Sequence, residues 1–163
     1  MSRYHEVYSN WQSDPEAFWA DVAREIDWDT PWDKVFDPYS GQYGRWFAGA
    51  ACNTCYNCVD RHVEARGDQN ALIYDSPITG NKRTYTYREL QHEVATLAHV
   101  IAAQGVEKGD RVIVYMPMIP EAVFAMLACA RLGAIHSVVF GGFAASELAT
   151  RIDDAKPKMI LSA

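Results

Sequence analysis

Cys52, Cys55 and Cys58 recur at three-residue intervals, and His62 follows close behind. Thiolate sulfur and imidazole nitrogen are the ligands that zinc and iron–sulfur centres take, so the run is first a question about metal. Asn53 or Thr54 is suited to cap a helix running to about Arg66. On such a helix Cys55 and His62 would stand about 10 Å apart along the axis, at 1.5 Å per residue. Zinc ligands must converge to about 2.0–2.3 Å from the ion, usually from separate segments. No second CxxC pair follows, and the fourth cysteine, Cys129, falls in a different expected helix. The residues therefore predict thiols and no metal site.

Phe140-Gly141-Gly142-Phe143, directly after an apolar run, is the feature suited to hold a ligand. Two residues without Cβ atoms let a planar ring or a phosphate come close to the backbone, whose N–H groups can hold an anion. A neighbouring phenylalanine adds a stacking face. The same residues also suit a tight strand-to-helix turn whose glycines serve only backbone geometry, and from spacing alone both readings stand. No complete catalytic set is found: GxxxxGK[ST], GxGxxG, HExxH and GxSxG are all absent. Asp153-Asp154 beside Lys156 reads as a solvated helix end, His136 as a hydrogen-bonded interior histidine, and Met116, Met118 and Met126 as core fillers.

Composition narrows the classes that could carry such a turn. The chain is 49% hydrophobic and 22% charged, the balance of an ordinary globular protein. A net charge of −6 and the lack of a basic stripe argue against nucleic acid and anionic membrane surfaces as partners. The amino terminus has neither an apolar signal core nor an Arg/Ser-rich transit bias, and the longest apolar-rich stretch, 122–130, is too short to cross a bilayer. A cytoplasmic protein is expected.

The positioning elements come in two textures. All five tryptophans and four of the nine tyrosines lie in the first 46 residues, which also hold nine acidic against four basic residues. Ser13-Asp14-Pro15-Glu16 predicts a helix start, and Phe18, Trp19, Val22 and Ile26 its apolar face. Pro31, Pro38, Gly41 and Gly44 then predict an extended, aromatic-studded arm that packs on a larger body. Further on, 71–74 and 83–86 read as a hairpin, and Thr86 caps a helix with Leu90, Val94, Leu97 and Ile101 inward and Gly105 at its end. A strand over 111–116, a helix from Pro120 to Leu132, a strand over 134–140 expected to be buried on both faces, a helix over 146–155 and a strand from Lys158 complete the pattern. This alternation predicts an α/β fold with βαβ units and a parallel sheet. Ligands of such sheets sit beyond the carboxyl ends of the strands, and the loop after the last expected strand lies past Ala163. The outer strand of a sheet cut short there is expected to invite strand pairing.

Three stretches carry a family resemblance. Thr84-Tyr85-Thr86-Tyr87-Arg88-Glu89-Leu90 resembles the first core motif of adenylate-forming enzymes. The run from Gly109 to Phe143, with Gly109-Asp110-Arg111-Val112, Met116-Pro117 and Phe140-Gly141-Gly142-Phe143, resembles AMP-forming acetyl- and propionyl-CoA synthetases. Ala149 to Pro157 is closer to the propionate enzymes, and Asp14 to Trp19, Ile26 to Trp28, Arg45 to Phe47 and Asn53 to His62 resemble the amino-terminal segment of the same family. The resemblance implies the opening part of the adenylate-forming acyl-CoA synthetase fold, with an amino-terminal segment over 1–65 and a truncated AMP-binding domain over 66–163. It implies a propionate–CoA ligase working through an acyl-adenylate; an acetate–CoA ligase or a non-catalytic nucleotide-binding module are the alternatives. It places the adenine of coenzyme A against Phe140, Gly141 and Gly142. ATP, coenzyme A and Mg2+ are the cofactors implied, with a short-chain carboxylate as substrate and no catalytic residue within this chain. Cys52 and Cys58 fall where relatives mostly carry other residues, so a family metal site is not implied.

Overall fold

A computed structural model describes residues 2–163 apart from Phe143, and divides them into two units, Met1–Cys52 and Asn53–Ala163. In the first, helix α1 (Arg3–Ser13) precedes α2 (Pro15–Val22). Asp14 separates them: it leaves helical geometry (φ −151°, ψ 88°), and its Oδ1 accepts the N–H of Ala17 at 3.0 Å, as a cap followed by proline should. α1 is an addition to the elements expected from sequence, and Tyr4, Val7, Tyr8 and Trp11 form its apolar stripe at helical spacing. The face expected to reach Ile26 is shorter, because α2 closes at Val22, a 3₁₀ turn spans Ala23–Glu25, and Ile26 is extended. Strands β1 (Lys34–Asp37) and β2 (Arg45–Ala48) pair antiparallel. Phe47 takes a left-handed φ of 49°, a conformation that costs a bulky residue on the order of 1–3 kcal/mol. Its ring gains Trp28 and Trp32 as neighbours at 5.5 and 5.4 Å, and Trp28 Nε1 donates to Ala23 O at 2.8 Å.

The second unit opens with Asn53, whose side chain accepts the N–H of Tyr56 at 3.0 Å and starts α3 (Thr54–Cys58). The single helix expected to Arg66 is broken. Val59 leaves the helix (φ −126°, ψ −65°), a 3₁₀ turn covers Asp60–His62, and α4 is only Val63–Arg66. The break buries Val59 and turns Asp60 inward, where both carboxylate oxygens lie 2.7 Å from an Arg131 nitrogen and Gln91 donates to Oδ1 at 2.7 Å. A charge pair this shielded would be costly to leave unmade, so it outweighs helix continuity.

Strands β3 (Asn70–Asp75) and β4 (Lys82–Thr86) form the expected antiparallel hairpin, which runs straight into α5 (Tyr87–Ala103). A reciprocal cap starts that helix: Thr86 Oγ1 accepts the N–H of Glu89 at 3.2 Å, and Glu89 Oε2 accepts the N–H of Thr86 at 2.8 Å. The Thr86 backbone N–H holds the Glu89 carboxyl below the usual carboxylate range. Leu90, Val94, Ala98 and Ile101 are buried along one side of α5.

Next come β5 (Arg111–Met116), α6 (Pro120–Leu132), β6 (Ile135–Phe140), α7 (Ala145–Ala155) and β7 (Met159–Ser162). Gly133 ends α6 at φ 71°, a value only glycine adopts without penalty. The three strands make a parallel sheet in the order β6-β5-β7. Val112, Ile113 and Val114 of the central strand are fully buried. β6 corrects an expectation: of its residues only Val139 is buried, while Ile135, Val138 and Phe140 are half exposed and His136 is exposed, not interior. Among the described residues β6 pairs with β5 alone. Arg111 donates to the carbonyls of Ala155 and Lys156 at 3.0 and 3.2 Å, which ties the end of α7 to the start of β5. No helix among the described residues is long and apolar enough to cross a membrane.

Two substitutions separate capping from packing. Thr86→Ala should lower the urea-unfolding free energy by about 1 kcal/mol. Ile101→Ala, at a fully buried position, should cost about 2–5 kcal/mol. Equal losses from the two would contradict the assignment of Ile101 to the core.

Candidate functional site

Register decides where the sheet can present a ligand. Met116 of β5 pairs with Phe140 of β6, so these strands end level with each other, and β7 pairs Ser162 with Tyr115 one residue earlier. Pro117 stops β5 and Pro120 starts α6, so the two strand ends open into turns that lie side by side.

Gly141 is set by a close approach. A Cβ there would lie 3.1 Å from both Met116 C and Pro117 N and 3.4 Å from Met116 O, backbone atoms that have no rotamer with which to yield. Its φ is not positive, so it is the missing side chain and not left-handed geometry that favours glycine here. Gly142 differs. Its Cβ would meet the Phe140 ring at 2.7 Å, so the ring lies over this glycine. The Tyr115 hydroxyl donates to Gly141 O at 3.3 Å. Phe140 itself is 55% exposed. Phe143, read from sequence with the same turn, lies outside the described residues.

The Phe140 ring also borders an apolar cavity of about 550 Å³, walled by Leu72 and Tyr74 of β3, by Met116 and Val138 of the sheet, and by Met126 of α6. Asp75 is the one charged side chain among its described lining residues. The methionines expected in the core are therefore relocated: Met116 and Met126 are partly buried in the cavity wall, and Met118 is 83% exposed at its rim. The cause is the hairpin, which stands far enough from the β5–α6 turn to leave a gap that thioethers fill only in part. Chemically, the site brings together an aromatic ring, the backbone of a glycine turn and an apolar hollow, which suits a planar heteroaromatic ring with polar edges.

The cysteines are scattered. Cys52 and Cys58 are exposed, whereas Cys55 and Cys129 are fully buried. Burial pushes the Cys55 thiol up from its ordinary value, and that of Cys129 up to about 11. The Sγ of Cys55 faces Asp60 Oδ2 at 3.9 Å inside the Arg131 ion pair. Among the described residues no group of three or more His, Cys, Asp or Glu is arranged to hold a metal ion.

With this geometry in hand, residues 59–163 match the family model described as AMP-binding enzyme, and residues 4–58 match the one described as acetyl-coenzyme A synthetase N-terminus. The chain belongs to the AMP-binding enzyme family, and its fold is the opening part of the adenylate-forming synthetase fold. It is 49% identical over 163 residues to the human protein named acyl-CoA synthetase short-chain family member 3, mitochondrial, covering 99% of this chain and 24% of that one. To an acetyl-coenzyme A synthetase of Xanthobacter autotrophicus it is 52% identical over 166 residues, covering 99% of this chain and 25% of the other. The solved structure of acetoacetyl-CoA synthetase from Streptomyces lividans superposes with a TM-score of 0.85 at 30% identity, over 94% of this chain and 24% of that one. The chain thus spans about a quarter of the length of the curated relatives it matches.

Thiol labelling tests the cysteine assignment. Native protein at pH 8 should give two rapid equivalents with a disulfide reagent, from Cys52 and Cys58, and four after unfolding. A rapid third equivalent would contradict the burial of Cys55 or Cys129. The raised folded value of Cys129 stabilises the protein below the ordinary thiol value of 9.0 and is lost as pH rises from there towards about 11. Cys129→Ser, whose hydroxyl does not ionise in that range, should flatten that part of the stability profile.

Proposed function

We propose that this chain supplies one wall of the coenzyme A site in an AMP-forming short-chain acyl-CoA synthetase, and that the carboxylate it activates is propionate. The carrying observation is the turn in which Gly141 passes against the β5 backbone while Phe140 borders an apolar hollow. The Phe140 ring lies over Gly142, with the backbone of the turn next to it. The adenine of coenzyme A fits that chemistry, and Phe140, Gly141 and Gly142 are the residues we assign to it. The family membership supports the reaction class, and the Ala149–Pro157 wording supports propionate over acetate.

In this reaction a carboxylate oxygen attacks the α-phosphorus of ATP, giving an acyl-adenylate and pyrophosphate. The thiol of coenzyme A then takes the acyl group and AMP leaves. Residues 1–163 bind and orient one substrate in the second step. We place the groups that hold ATP and Mg2+, and the acyl pocket, outside these residues. We also place the synthetase in the cytoplasm.

Two measurements test this reading. In the full-length synthetase, Phe140→Ala should raise KM for coenzyme A at least several-fold, since stacking of a base on an aromatic ring is worth about 1–3 kcal/mol. Carboxylate-dependent ATP–pyrophosphate exchange should stay within twofold, and kcat/KM should be higher with propionate than with acetate. An unchanged KM for coenzyme A would remove the site assignment, and a preference for acetate the substrate assignment. The 163-residue polypeptide alone should catalyse no ATP–pyrophosphate exchange; exchange by it would show that adenylation groups lie within these residues.

A further inference from the structure

We infer that Tyr115 is a positioning residue for coenzyme A: its hydroxyl sets the orientation of the Gly141–Gly142 peptide that lies beside Phe140. The inference deepens the functional reading above and rests on it. Strand pleating puts successive side chains on opposite faces of a sheet. In the parallel register Val112, Val114 and Met116 share a face with His136, Val138 and Phe140, whereas Ile113 and Tyr115 share the other with Ser137 and Val139. The cavity bordered by Phe140 is therefore on one face, and Tyr115 reaches the turn from the opposite one.

From there its hydroxyl donates to Gly141 O at 3.3 Å. The peptide is trans, since the chain has no cis bonds among its described residues, so its C=O and its N–H point in opposite directions across one rigid plane. Holding Gly141 O towards Tyr115 thus turns the Gly142 N–H away from it, to the side where Phe140 displays its ring. Two constraints act at the same peptide. The Met116–Pro117 backbone limits how close Gly141 sits, at a distance where a Cβ would have to displace backbone by a few tenths of an ångström. The Tyr115 bond then selects the rotation of the peptide plane, which the steric contact alone does not. Glycine permits many rotations, so without the hydroxyl the amide would spread over several orientations, and a ligand would have to gather them on binding.

The steric contact survives in Tyr115→Phe while the hydrogen bond to Gly141 O is lost, which makes that variant the test in the full-length synthetase. It should raise KM for coenzyme A several-fold, the range of a hydrogen bond worth about 0.5–1.5 kcal/mol. KM for ATP, the rate of ATP–pyrophosphate exchange and Tm should remain within error of the parent. Phe140→Ala serves as the reference. If Phe140→Ala raises KM for coenzyme A and Tyr115→Phe does not, the positioning role is overturned while the site assignment stands. If neither variant changes it, both fall. A Tyr115→Phe enzyme that loses exchange activity and coenzyme A affinity together, with a lowered Tm, would show a general packing role and would also overturn the inference.

Discussion

Val112, Ile113 and Val114 have no solvent exposure, and the layout of the second unit follows from enclosing them. A strand buried on both faces needs a parallel neighbour on each side and helices over the sheet, which is what the two βα connections through α6 and α7 supply. Once β5 is central, its register with β6 brings Met116 level with Phe140 and forces the two following turns past each other. The close contact at Gly141 is a consequence of that register. The candidate site is thus built from the ends of elements whose middles are fixed by burial.

A second constraint holds the near end of the unit. Asp60, Arg131 and Gln91 come from three segments and meet in a half-shielded ion pair, with Asn53 donating to Arg131 O at 3.1 Å. The pair joins the start of the unit to the end of α6, whose opposite end borders the cavity. Arg131 Nε is buried with no acceptor among the described residues and both Asp60 oxygens share one Arg131 nitrogen, so the pair is not ideal in geometry. Cys55, buried against this pair, is explained as packing at its margin.

Local signals were legible in the sequence because their causes are local. Thr86 with Glu89, Pro117 with Pro120, and Gly133 mark element ends through caps and fixed dihedrals that involve only neighbouring residues. The stripe of Tyr4, Val7, Tyr8 and Trp11 had the same kind of periodicity and defines α1, although the polar residues between them weaken its apolar contrast. What sequence pattern missed depends on distant partners. The broken helix at Val59 reflects an ion pair spanning 71 residues, and no window around Val59 contains Arg131. An apolar run such as 135–140 looks the same at the centre or the margin of a sheet, so its place in the strand order is not legible in it. The cavity arises between a hairpin and a separate βα turn, which is why Met116, Met118 and Met126 read as core. For the site, glycine spacing left two meanings open at Gly141 and Gly142. In the structure Gly141 packs closely against the Met116–Pro117 backbone, and the Phe140 ring lies over Gly142.

The central claim is that the turn at Phe140–Gly142 receives the adenine of coenzyme A. A crystal structure of the full-length synthetase with coenzyme A bound tests it most directly. The account predicts the adenine ring against Phe140 at about 4.5–7 Å between ring centroids, with the Gly142 N–H turned towards the ligand. Adenine bound elsewhere, with the Phe140 ring covered by protein, would contradict it.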